Sequence, residues 1–408
     1  MNVCFLVKSV RWPYEFRRQC RLGKMFGDCG SKSGSDASGL YVHVPFCRTK
    51  CRYCGFYSEP VEEYDAGAVV GAMMAEMDRY ELGEGVRTIY IGGGSPSCLP
   101  QEHLLQMVSC AAQQCPAAEE FTVEINPGQV DMELLRGLRR AGVDRLSIGV
   151  QSLVQRELDF LGRGHTVGCI RRVVQEARAA GFDNISLDLI FAVPGSCLDS
   201  WKDNLRAAIA LAVDHISAYS LAYEEGTALG RDVAAGVINP VDEDTDRAMY
   251  ELAIDELEQA GLAQYEISNF ARSGFECRHN LNYWANGGYI GIGPGATSYR
   301  KGTRTANVAD INRYARAVAD GASTVETSET LLGRERAYET AVLNLRRRCG
   351  IDLAEFRSRT GFDPMQLFAE PIRTYQERGL IEKNGGRIFL TRQALGIADS
   401  ILCDFALV

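Results

Sequence analysis

From Leu40 onward the chain alternates short β-branched runs with amphipathic stretches, and nothing else in it constrains the fold as strongly. Runs of strand character occupy residues 40–44, 87–91, 121–125, 145–150, 184–193 and 215–223. Helical patterns follow them near residues 62–81, 101–114, 131–141, 168–180, 198–211 and 243–260. Such alternation predicts a parallel sheet covered by helices. Right-handed crossovers curl that sheet toward a barrel, with function at the carboxyl ends of its strands. Six units fall short of a closed eightfold barrel, so the expected fold is α/β, an open partial (β/α)6 TIM-like barrel over residues 40–260. Beyond Gly261 the rhythm breaks. Residues 264–269 read as one more strand, and a segment rich in Gly, Asn and aromatics follows, so residues 261–329 read as an extension of the barrel. Residues 330–408 read as a small α+β unit of three or four helices, with a hairpin at 379–390 in a winged-helix-like layout. Arg346-Arg347-Arg348 is its one basic cluster, at a helix end where cations suit the dipole, so packing is preferred to DNA binding.

A length of 408 residues accommodates one large domain plus a smaller one. The net charge of −9 argues against a general nucleic-acid binder. No apolar run approaches the length of a membrane span. The 14 cysteines are scattered apart from one tight cluster, which favours reduced thiols and a cytoplasmic location over a disulfide framework. Residues 1–39 carry seven Lys/Arg against three acids and end in a Gly/Ser-rich linker, so they are expected to be a basic, disordered leader.

The tight cluster is Cys47-x3-Cys51-x2-Cys54, just after the first strand. Three thiolates at that spacing can grip three irons of a [4Fe-4S] cluster, which normally takes four cysteines. No fourth cysteine follows nearby, so one iron would remain open to a small molecule. Zinc is the competing metal, because His43 could complete a site of three sulfurs and one nitrogen. Placing that imidazole would require folding it back past Pro45 and Phe46.

Other strand ends carry polar groups as well. Gly92-Gly93-Gly94-Ser95 follows the second strand and would let backbone approach a ligand closely. Glu124, Gln151 and Asp188 lie in or at the ends of the third, fourth and fifth strands, and Arg163 follows Gln151. A polar residue in an apolar strand is costly to bury without a partner. One such residue is commonly a satisfied structural group, but four on successive units point to a lined cavity. Near residue 280, His279-Asn280-Leu281-Asn282-Tyr283-Trp284 offers an imidazole able to ligate haem iron and flat rings able to stack on a porphyrin. A structural, hydrogen-bonded histidine is the alternative there.

The stretch from Tyr41 to Tyr57 resembles the cluster-binding segment of the radical S-adenosylmethionine (SAM) superfamily. The matches run on to about Tyr299, and more weakly through the C-terminal unit, and resemble the oxygen-independent coproporphyrinogen III oxidase-like family. That resemblance implies that Cys47, Cys51 and Cys54 hold [4Fe-4S]. It implies SAM contacts from Gly93, Gly94, Ser95, Glu124, Gln151, Arg163 and Asp188, with Tyr41 and the backbones of Tyr53 and Ala222. Ser95 stands where relatives commonly have threonine. The family has an enzyme branch, which decarboxylates coproporphyrinogen III with a deoxyadenosyl radical, and a haem-chaperone branch, which keeps the cluster and SAM site but passes haem to acceptor haemoproteins. The enzyme has a further cysteine two residues after the third, where this chain has Phe56, and a longer lead-in. The H-N-x-x-Y-W segment marks the chaperone branch, so His279, Asn280, Tyr283 and Trp284 are expected at haem. The chaperone is therefore the expected function and the oxidase the alternative. Reduced flavodoxin or ferredoxin is the expected electron donor; a homodimer and peripheral membrane contact remain open.

Overall fold

The computed structural model describes residues 38–406, so the leader expected at residues 1–39 lies almost wholly outside the described residues. Among the described residues, twelve strands form the main sheet. In chain order they are β1 (Gly39–Val44), β2 (Thr88–Gly93), β3 (Glu120–Ile125), β4 (Arg145–Gln151), β5 (Asn184–Phe191) and β6 (His215–Ser220). Then come β7 (Ala263–Glu266), β8 (Asn269–Ala271), β9 (Tyr289–Ile292), β10 (Thr297–Arg300), β11 (Thr303–Asn307) and β12 (Val325–Thr330). Their order across the sheet is β12-β11-β10-β9-β1-β2-β3-β4-β5-β6-β8-β7. Strands β1 to β6 are the six expected ones, each parallel to the next. β1 and β6 are not neighbours, so the barrel stays open, as its six units imply.

Side-chain alternation explains why the sheet curls around a polar interior. Leu40, Val42 and Val44 of β1, Ile89 and Ile91 of β2, and Leu146, Ile148 and Val150 of β4 join one apolar core. Between them stand Tyr41, His43, Tyr90, Glu124, Arg145, Ser147, Asp188 and His215, and the period of two places these on the opposite face. Parallel strands are usually apolar on both faces, so this one-sided polarity marks a surface kept for something other than packing.

Two features depart from the sequence expectation. The single strand expected at 264–269 is a hairpin, β7–β8, which adds antiparallel to β6. β9 joins the free side of β1 as a seventh parallel strand. Glu76 pins that side: it sits on helix α1 (Ala66–Met77) and is 1% exposed. Its carboxylate accepts from Gly293 N at 2.8 Å, Asn307 Nδ2 at 2.8 Å, Tyr314 Oη at 2.6 Å and Thr324 Oγ1 at 2.7 Å.

Residues 279–284 lie on helix α2 (Arg278–Trp284). The small C-terminal unit is built around helix α3 (Arg334–Leu345), whose residues 337–345 are all buried. The expected hairpin is present as Ile381–Asn384 paired with Arg387–Leu390, in a three-stranded sheet with Ile351–Asp352. The unit packs against α2, with Asn344 Nδ2 donating to the Trp284 carbonyl at 3.0 Å. Arg346 lies over the Trp284 ring at 5.2 Å and pairs with Asp399 at 2.8 Å, so the basic cluster takes part in packing.

Candidate functional site

At the carboxyl ends of β2 to β6 is a cavity of about 280 Å³. Its lining brings together Cys47, Cys51, Cys54, Tyr53, Gly93, Gly94, Ser95, Glu124, Gln151, Arg163, Asp188 and Ala222. These residues come from positions far apart in the chain, and only the barrel places them around one space. Phe56 lines the same cavity.

The cysteine loop is held from both sides. Phe46–Cys47 pairs with Glu59–Pro60 as a short parallel ladder. Lys50 Nζ donates to the Phe56 carbonyl and, at 2.9 Å, to Ser58 Oγ. Arg52 reaches the Phe160 carbonyl at 3.1 Å and Asp232 at 2.7 Å. Burial pushes the Cys47 thiol up and the Cys54 thiol to about 11, so these sulfurs ionise only beside a compensating cation. The zinc alternative loses its fourth ligand. His43 Nδ1 faces Tyr41 Oη at 2.9 Å and Nε2 faces the Tyr57 carbonyl at 3.1 Å, so both ring nitrogens are engaged. Among the described residues, no three His, Cys, Asp or Glu side chains gather closely enough to hold a single metal ion. The donor set present is three soft sulfurs on one tethered loop, which suits an iron–sulfur cluster.

The glycine turn after β2 has a steric reason. A methyl on Gly92 would lie 2.6 Å from the Glu124 carboxyl carbon, and one on Gly94 would overlap the Phe46 carbonyl. Gly93 has a φ of 110°, which residues with a Cβ rarely adopt.

The polar strand ends are oriented by neighbours. Glu124 accepts from Tyr90 Oη at 2.7 Å and from Gly93 N at 3.2 Å. Asp188 accepts from Ser147 Oγ at 3.1 Å. Arg163 donates to the Gly149 carbonyl at 2.7 Å, to Asn126 Oδ1, and to Cys51 Sγ at 3.4 Å. Gln151 stands at φ 62°, where the β4–β5 register shifts, a strained geometry of the kind that clusters at ligand sites. Its Oε1 and Arg163 Nε are buried without a protein partner. An open acceptor and an open cationic donor in a cavity beside three thiols fit the polar groups of SAM: the hydroxyls, the amine and the carboxylate.

Sequence reasoning named Ser95 but missed the partners that surround it. Asn126, Ser95, Ser97 and Gln129 form a hydrogen-bonded cluster that carries Arg163. Asn126-Pro127-Gly128 reads locally as a turn, and nothing in the sequence reveals that its amide meets an arginine 37 residues on. His165 also lines the cavity; burial, then Arg163, hold its imidazole down to about 4, so it stays neutral.

Five expected residues lie elsewhere. Tyr41 is 1% exposed inside β1, with its ring beside Tyr90, and does not line the cavity. His279, Asn280, Tyr283 and Trp284 lie on α2, beneath the amino ends of β1 and β2, at the opposite end of the strands. His279 is 1% exposed; its Nδ1 faces Thr88 Oγ1 at 2.8 Å and its Nε2 faces Tyr283 Oη at 3.1 Å. As packed, both nitrogens of the His279 imidazole are engaged and the rings of Tyr283 and Trp284 are buried among protein. The sequence could not reveal this, since an exposed ligand and a bonded core histidine look identical in one dimension.

Residues 41–208 match the radical SAM superfamily model and residues 331–396 match that of the HemN C-terminal domain. The chain is 34% identical to the haem chaperone HemW of Bacillus subtilis, over 90% of this chain and 98% of that protein. It is 37% identical to HemW of Mycobacterium tuberculosis, over 89% of this chain and 93% of that one. The Escherichia coli coproporphyrinogen III oxidase HemN superposes with a TM-score of 0.82 over 100% of this chain and 98% of its own; at 19% identity it speaks for the fold alone. The chain belongs to the radical SAM superfamily and, within it, to the family of the HemW haem chaperones.

Proposed function

We propose that this chain is a haem chaperone of the radical SAM type, which carries [4Fe-4S] and SAM, binds haem and delivers it to acceptor haemoproteins. The observation that carries this reading is similarity to HemW proteins along nine-tenths of the chain. Cys47, Cys51 and Cys54 would hold three irons, leaving the fourth for the amine and carboxylate of SAM. Arg163, held by Gly149 and Asn126, offers its guanidinium to that carboxylate, and Gln151 and Asp188 offer acceptors to the ribose hydroxyls. When loaded, the cluster supplies one electron to the sulfonium of SAM. A reduced flavodoxin or ferredoxin is the donor this chemistry calls for. Phe56 fills the position where the oxidase branch has its extra cysteine, which argues against the oxidase reading.

Two measurements test this. Anaerobic reconstitution should give about four irons per chain and lose them when the three cysteines are replaced together. Haem titration should then give a Soret band, and the haem should pass to an apo-haemoprotein. Absence of haem uptake, or turnover of coproporphyrinogen III, would overturn the assignment.

A further inference from the structure

The geometry points to His279 as a positioning residue for the SAM site, acting through Tyr90 on Glu124; this rests on the SAM reading above. Helix α2 is hung from the start of β3, where the Glu120 carboxylate accepts from Arg278 N at 2.8 Å and His279 N at 2.9 Å. That anchor sets the His279 ring beneath the barrel interior, with Thr88 and Tyr283 fixing its two nitrogens. The ring stacks on Tyr90 at 5.2 Å between centroids and 28° between planes. The Tyr90 hydroxyl then donates to Glu124, and the other oxygen of that carboxylate receives Gly93 N. Glu124 and Gly93 both line the cavity.

The path has no slack at either end. A methyl on Gly39 would lie 3.1 Å from the His279 ring, and one on Gly92 would lie 2.6 Å from the Glu124 carboxyl carbon. In an interior packed that tightly, removing one ring shifts the next. Burial raises the Glu124 pKa, while the Tyr90 hydroxyl and the Gly93 amide oppose that rise, so the tyrosine also helps keep the carboxylate an acceptor. Coupling along such a path is measured by combining substitutions.

The test uses cluster-reconstituted protein without haem, reading SAM affinity by anaerobic calorimetry with iron content beside it. Tyr90→Phe keeps the ring and removes the hydroxyl; it should weaken SAM about tenfold, the size expected for one hydrogen bond to a charged group. His279→Ala should weaken SAM several-fold with iron retained, and His279→Phe, which restores a ring to the stack, should recover most of the affinity. The double variant Tyr90→Phe/His279→Ala should bind SAM no worse than roughly the weaker single variant. Unchanged affinity in Tyr90→Phe, or equal affinity in His279→Ala and His279→Phe, would overturn the inference. Should His279→Ala lose its cluster, Tyr90→Phe still decides. A wild type that binds no SAM would instead sink the site reading, so the two failures are distinguishable.

Discussion

Replacing Glu76 by glutamine should test how the seventh parallel strand is attached. Four donors converge on this carboxylate, two on each oxygen: Asn307 Nδ2 and Thr324 Oγ1 on Oε1, Gly293 N and Tyr314 Oη on Oε2. In the amide one oxygen becomes an NH2 that cannot accept. Whichever way the amide turns, it faces one hydroxyl, which can rotate and accept, and one N–H, which cannot. One buried donor is therefore stranded, and the two remaining bonds lose their charge assistance. At about 1–3 kcal/mol for an unsatisfied buried group, plus part of the charge-assisted increment, the loss comes to about 2–4 kcal/mol. Against a native stability of about 5–15 kcal/mol that is large. Urea unfolding followed by far-UV circular dichroism should show the midpoint fall with the slope unchanged. A difference under about 0.5 kcal/mol would mean that β9 and its neighbours hold without this carboxylate. Glu76→Leu, which removes both acceptor oxygens at once, should be worse still.

Two further outcomes are expected. Gly94→Ala should drive a methyl into the Phe46 carbonyl and displace the cysteine loop from the glycine turn, so reconstituted iron per chain should drop; full iron loading would refute that packing argument. Burial, and then Arg145, hold the His279 imidazole down to about 3, whereas the unfolded chain takes up that proton near about 6.5. Its contribution to stability is therefore complete above the unfolded value and is lost as pH falls from there toward 3. His279→Phe should flatten the decline of denaturant stability below pH 6, and identical pH slopes in the two proteins would refute the assignment.

Much of the barrel is legible in one dimension because it is built from local signals. β-branched runs of period two, each followed by an amphipathic helix, leave few arrangements other than parallel strands in sequence order. The cysteine spacing is equally local, and so are the polar interruptions at Glu124, Gln151 and Asp188. β9 was not legible, since Tyr289–Ile292 has four residues and its strand state depends on β1 beside it and on Glu76 behind it. Nor was the hairpin β7–β8, where two turn residues and a register shift separate strands that read as one run.

The residues of this chain by themselves determined the type of fold, the thiol cluster and most of the positions around the cavity, because spacing, alternation and strand ends are properties of neighbours in sequence. The tertiary structure decided how those groups are presented. It oriented Arg163 through Asn126, withdrew Tyr41 from the cavity, and bonded both nitrogens of His279 where its ring stacks on Tyr90. The physical reason is that burial and hydrogen-bond saturation are set by groups far away in the chain. They determine whether a ligand-type side chain has an atom left to offer.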